Sequence, residues 1–204
     1  IITQWNKSYL IMSVLVFVEI KDKLTKAVQE TITYGKSLGN VTLLTYGDVS
    51  DSLLLETGNF GAEHVLICKS INERNEQLLS NLIINAVKKY NCEYIILSQD
   101  QTGKAVGPRV AANLEAGHIS GAISFPEKSD EFIVKTNVFS GKAIAFVSVH
   151  TPIKVISILP NSIPPKENKT TALITEINED LGEARIKVKE LKPLGDGIPL
   201  PEAE

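Results

Sequence analysis

The residues whose types and spacing come closest to a chemical site are Gln101-Thr102-Gly103-Lys104, a glycine turn between an apolar run and a helical pattern, with Arg109 just beyond. Strand, glycine turn and helix start together suggest phosphate binding, because the first amides of a helix and its macrodipole attract anions. The spacing does not complete the motif. Ser98 stands where a P-loop has its first glycine, Ala105 where it has Ser or Thr, and no G-x-G-x-x-G follows any strand-like run. Lys104 and Arg109 are the pair that would clamp a phosphate, yet such side chains near a helix start are more often solvated or paired with a carboxylate such as Glu115. On these residues a structural helix start is favoured over a nucleotide cradle.

Other chemistries find less. His64, His118 and His150 fall on three segments with no i, i+4 pair to ligate a metal, and core or interface roles suit them better. Ser140, Ser148 and Ser157 lie in no G-x-S-x-G elbow, and Asp100 has no histidine or second acid near it in sequence. Cys68 and Cys92 form no C-x-x-C pair, so both read as buried apolar residues of a reducing compartment. With 21 basic residues against 24 acidic ones, the net charge of -3 gives no electrostatic footprint for nucleic acid. No catalytic constellation emerges, and an enzyme is the weaker expectation.

The elements that must position these residues alternate between short β-branched runs and helical periods, the pattern of a parallel sheet with helices on both faces. Ser13 to Glu19, Val41 to Tyr46, His64 to Cys68 and Tyr94 to Ser98 read as strands. Helical segments follow each, the fourth containing Pro108, which is expected in its first turn because an interior proline costs about 3 kcal/mol. Beyond Gly117, the runs Ile119 to Phe125, Phe132 to Val138, Lys142 to Val149 and Val155 to Leu159 are strand-like with no helix between them. A hairpin should turn near Ser140-Gly141, adding antiparallel strands to a mostly parallel sheet. Pro160 to Lys169 reads as an irregular connection, followed by two further strands, Ala172 to Ile177 and Ala184 to Leu191.

The ends are expected to differ from the body. Residues 1–11 precede the single methionine, Met12, and read as an extension without structural role; 12–191 form the domain; 192–204, rich in proline and glycine, have the composition of an interdomain linker. Such a linker implies a further domain that this sequence does not contain. The apolar stretch Tyr9 to Val18 is too short to span a bilayer and no small-residue cleavage site follows it. No direct membrane insertion is expected, and a cytoplasmic location is.

The run Gly103-Lys104-Ala105-Val106-Gly107-Pro108-Arg109-Val110-Ala111-Ala112 resembles the Gly-Lys turn and Pro-Arg-Val-Ala-Ala helix of electron transfer flavoprotein alpha subunits. Ser120-Gly121, the turn Phe139-Ser140-Gly141-Lys142-Ala143 and the strand Val155-Ile156-Ser157-Ile158-Leu159-Pro160 are similar to family segments in the same order, and Ser13 to Glu19 fits the opening strand. Two positions depart: Lys142 stands where Asn is usual and Leu159 where Arg is usual. The resemblance covers most of 12–160 and implies the amino-terminal domain of such a subunit. The implied fold is a three-layer α/β sandwich, adenine nucleotide alpha hydrolase-like. The implied function is that of a heterodimeric electron carrier, not an enzyme, taking electrons from flavin dehydrogenases and passing them to a membrane oxidoreductase.

In that family the cofactor is FAD, held mainly by a carboxy-terminal domain opening with a Ser-Gly-Gly-Arg-Gly type motif that is absent here. The resemblance therefore implies a platform packing against a beta subunit, with no flavin-binding residue to carry over. The runner-up is an adenine-nucleotide-binding module, since Gln101, Thr102, Gly103, Lys104 and Arg109 resemble the place where the related beta subunit holds AMP.

Overall fold

β1 (Val14–Phe17) is apolar and buried at every position, as a strand covered on both faces must be. Its side chains alternate between the faces: Val14 and Val16 join one apolar cluster, Leu15 and Phe17 the other. The computed structural model describes residues 14–127, 131–186 and 190, and around β1 these build three layers. On one face α1 (Lys26–Leu38) and α2 (Asp51–Glu56) contribute Val28, Ile32 and Leu54. On the other, α3 (Glu76–Tyr90) and α4 (Gln101–Leu114) contribute Leu79, Leu82, Val106 and Val110.

The remaining strands are β2 (Val41–Tyr46), β3 (Ala62–Cys68), β4 (Tyr94–Ser98), β5 (Gly117–Ala122), β6 (Ile133–Val138), β7 (Ala143–Ser148), β8 (Lys154–Ile158) and β9 (Leu173–Glu176). They form one sheet in the order β7-β6-β5-β8-β4-β1-β2-β3-β9. From β5 to β9 the neighbours all pair in parallel, and β6 and β7 add an antiparallel hairpin at one edge. The expected α/β sandwich with a mostly parallel, partly antiparallel sheet is thus the fold observed. The hairpin turns through Phe139, Ser140 and Gly141, whose φ angles are 52, 56 and 81°.

Two expectations are corrected, and one open point is decided. Pro108 is not in the first turn of its helix: α4 begins at Gln101, seven residues earlier. The four turn residues are helical because Asp100 caps the helix ahead of them. Pro108 and Lys104 both lie exposed, so the Lys104 carbonyl that the proline leaves without an intrahelical donor is open to hydration. The pairing of β8, open in the sequence, is decided by the fold. The strand inserts between β4 and β5, parallel to both, with Ile156 opposite Ile96 and Ile119. Finally, Ala184, Arg185 and Ile186 are in no strand; 187–189 and 191, the rest of that run apart from Glu190, lie outside the described residues, as do the proposed extension 1–11 and linker 192–204. Among the described residues no helix is long and apolar enough to cross a membrane.

Candidate functional site

In an open parallel sheet, ligands bind outside the carboxyl ends of the strands where the strand order reverses. Here that point lies between β1 and β4, since the chain proceeds from β1 to β2 and β3 on one side and then returns to β4 on the other. Glu19, Thr25, Ser98, Asp100, Thr102 and Gly103 surround a cavity of about 50 Å³ there. That is room for a few waters at most, against the roughly 300 Å³ or more of an ordinary small-molecule pocket.

Glu19 closes the crevice. One carboxylate oxygen accepts from the Thr102 hydroxyl at 2.8 Å and from the Tyr46 phenol at 3.0 Å. Burial and then the Glu19 charge push the Tyr46 phenol above its ordinary pKa, so it remains a donor. Its ring lies parallel to that of Phe17, 6.3 Å between centroids. Motif spacing singles out neither Glu19 nor Tyr46. The available signal is positional: an acid two residues past an apolar strand of a parallel sheet falls at its carboxyl edge.

Each residue of the Gly-Lys turn has a structural partner or packing role. Asp100 Oδ1 accepts the Gly103 N–H at 2.9 Å, and the Asp100 carbonyl accepts that of Lys104 at 3.0 Å. The helix N-terminus that would draw a phosphate therefore already faces a carboxylate. A Cβ on Gly103 would lie 1.8 Å from the Ser98 carbonyl oxygen, so the glycine lets α4 start hard against the end of β4. Thr102 is buried on Glu19, while the Gln101 side-chain oxygen accepts from Arg74 at 3.1 Å.

Lys104 and Arg109 do not converge. Five residues apart, they stand about 140° apart around the helix. Lys104 is exposed, and neither residue pairs with Glu115 among the described residues. Arg109 instead borders a polar groove of about 550 Å³ between α3, α4 and the segment bearing Arg185.

A wider cleft of about 840 Å³ opens beside the crevice at the ends of β1 and β2. Its charged lining is Glu19, Asp22, Asp48, Glu73 and Glu76 against Lys21 and Arg74. Glu76 binds Arg74 at 2.9 Å, and its own backbone N–H together with that guanidinium holds its carboxyl below the ordinary range. The excess of carboxylates repels a nucleotide pyrophosphate. With the capped helix and the small crevice, these residues do not fit FAD.

The other candidates separate. His64 is half-buried, His118 is half-buried with its Nε2 enclosed beside Gly107, His150 is exposed, and no metal-ligating cluster occurs among the described residues. Ser148 lies 3.4 Å from His150 Nε2 and 3.4 Å from Glu131. Ser148 stands between the two, at distances too long for an activated nucleophile. Cys68 and Cys92 are buried free thiols, and burial pushes Cys92 up to about 12, far from thiolate reactivity. The conspicuous surface is the hairpin: Phe139, Phe146 and Ile144 are 81, 61 and 55% exposed.

This α/β sheet, with its crevice closed by its own side chains and an apolar hairpin at its edge, belongs to the electron transfer flavoprotein domain family, which matches residues 14–181. The chain is 28% identical over 200 residues to the electron transfer flavoprotein subunit alpha of Bacillus subtilis (strain 168), covering 94% of this chain and 62% of that protein. It is 26% identical over 191 residues to the probable mitochondrial electron transfer flavoprotein subunit alpha of Caenorhabditis elegans, covering 87% of this chain and 57% of that protein. The chain thus spans about three fifths of the length of these curated relatives. Both are alpha subunits, the type that the residue resemblance implies.

Proposed function

We propose that this domain is the amino-terminal platform of an electron transfer flavoprotein alpha subunit, in a heterodimeric carrier between flavin dehydrogenases and a membrane oxidoreductase. The observation that carries this reading is the apolar hairpin. Along β7, Val147 packs towards the core while Ile144 and Phe146 point away from it, and Phe139 stands at the tip. β7 is also an edge strand, with one row of backbone groups unpaired by the sheet. Such a surface is suited to burial against another chain, and the beta subunit is its partner in this reading.

FAD is then held beyond these residues, because the capped Gly-Lys turn, the filled crevice and the acidic cleft offer its pyrophosphate no cradle. The same features weigh against an adenine-nucleotide module. The carrier is cytoplasmic in this reading.

Co-expression with the beta subunit tests the assignment. The expected result is a one-to-one complex burying on the order of 1,600 Å². Phe139→Asp with Phe146→Asp should abolish it without unfolding the domain, since both side chains are already exposed. A wild-type chain that elutes as a monomer beside its beta subunit at micromolar concentration overturns the reading.

A further inference from the structure

The segment after β9 leaves the sheet and is held by α3. Ile177 and Leu181 are buried in the cluster that α3 covers. From Glu179 to Ile186 the chain runs antiparallel to the helix, contact by contact. Lys89 Nζ meets the Glu179 carboxylate at 2.6 Å, and Asn85 Nδ2 donates to the Asp180 carbonyl at 3.3 Å. Asn81 Nδ2 donates to the Leu181 carbonyl at 2.9 Å and Gln77 Nε2 to the Glu183 carbonyl at 3.2 Å. Asn75 Nδ2 reaches the Ile186 carbonyl at 2.8 Å, and Gln77 Oε1 accepts the Arg185 N–H at 3.1 Å.

Gln77, Asn81, Asn85 and Lys89 recur every fourth residue, so they stand one above another on a single stripe of α3. Asparagine is a poor helix former because its side chain competes for the backbone. Here those amides are turned outwards and do for an extended segment what a neighbouring strand does, satisfying its carbonyls in turn. Apart from the Lys89–Glu179 ion pair, this contact reads backbone and not side chains, and its register is set by the two buried anchors, Ile177 and Leu181.

We infer that 177–186 is a strap clamped to α3, which delivers the chain to the N-terminal end of that helix, beside the acidic cleft. In the carrier of the proposed function the chain is therefore still docked on α3 at Ile186, so the end of β9 is not a hinge. Only this last step rests on that proposal; the strap is a property of the chain itself.

Trypsin cleavage after Arg185, followed by mass spectrometry on the 204-residue chain, tests it. Cleavage should be slow in the native chain and about tenfold faster in Asn81→Ala with Asn85→Ala, which removes two carbonyl contacts worth a few-fold each. Both changes raise helix propensity, so α3 itself is not put at risk. Asn113→Ala on α4, off the stripe, should change nothing. In hydrogen exchange the Arg185 amide should be protected relative to that of Ala184, and Gln77→Ala should remove the difference. Cleavage of the native chain at the rate of the denatured one, or an unchanged rate in the double variant, overturns the strap. A failed heterodimer would leave every one of these readouts as expected, so the two proposals fail separately.

Discussion

Gly103→Ala asks whether the glycine of the Gly-Lys turn serves packing or a ligand. The added Cβ would lie 1.8 Å from the Ser98 carbonyl oxygen and 3.0 Å from its carbon, both backbone atoms, so no rotamer change relieves the contact. The oxygen distance must widen to at least 3.0 Å, which moves the first turn of α4 off the end of β4. That shift strains the Asp100 cap at 2.9 Å and the Thr102 to Glu19 bond at 2.8 Å, and loosens the packing of Val106 and Val110. Overpacking of this kind costs about 2 kcal/mol, and loss of an N-cap adds about 1 kcal/mol. At roughly 2–4 °C per kcal/mol for a domain of this size, Tm should fall by about 6–12 °C. The assay is urea and thermal unfolding followed by far-UV circular dichroism, with Lys104→Ala as the comparison, expected within about 0.5 kcal/mol of wild type. If Gly103→Ala were as stable as wild type, and AMP bound the wild-type chain but not the variant, the packing explanation would be refuted.

Two further outcomes rest on buried groups. Glu30 is 2% exposed and accepts the Asn161 N–H at 2.9 Å, while the exposed Lys26 lies 3.8 Å from Glu30 and donates to Asn161 Oδ1 at 3.0 Å, so Glu30→Ala should destabilise by about 2 kcal/mol in urea while Lys26→Ala stays within about 0.5 kcal/mol; equal effects would show that the buried carboxylate matters no more than the exposed lysine. Burial lowers the pKa of His118, whose Nε2 has no hydrogen-bond partner, so the folded ring resists a proton that the unfolded chain takes up below about pH 6.5. Its contribution is therefore full above that pH and is lost as pH falls through the lower folded value; His118→Gln should flatten this part of the stability profile, and an unchanged acid slope would count against it.

The parts of this fold legible in the sequence are those where a local pattern and the tertiary environment agree. Val41–Tyr46 and Tyr94–Ser98 have the bounds their apolar runs announce, because central parallel strands are buried on both faces and end where polar residues begin. Asn91 ends α3 in the left-handed conformation for an equally local reason, its φ being 52°. At the start of α4 two local rules conflict. The proline rule pulled the helix start towards Pro108, while Asp100 supplied the cap that begins it at Gln101. A cap is satisfied by one side chain, whereas a proline in an exposed turn can leave its orphaned carbonyl to water, so the cap prevailed. The place of β8 between β4 and β5 was beyond local reading altogether. Its residues Val155, Ile156 and Ile158 would suit either an antiparallel meander or a buried parallel strand, and only the pairing with Ile96 and Ile119 decides. The closed crevice belongs to the same class: Glu19, Tyr46 and Thr102 come from three elements, and their hydrogen bonds exist only once β4 has returned beside β1. What the motif at Gly103 cannot say by itself, whether its amides are free for a phosphate, is thus answered by residues distant in sequence, and that is why the same letters suit a nucleotide turn and a structural one.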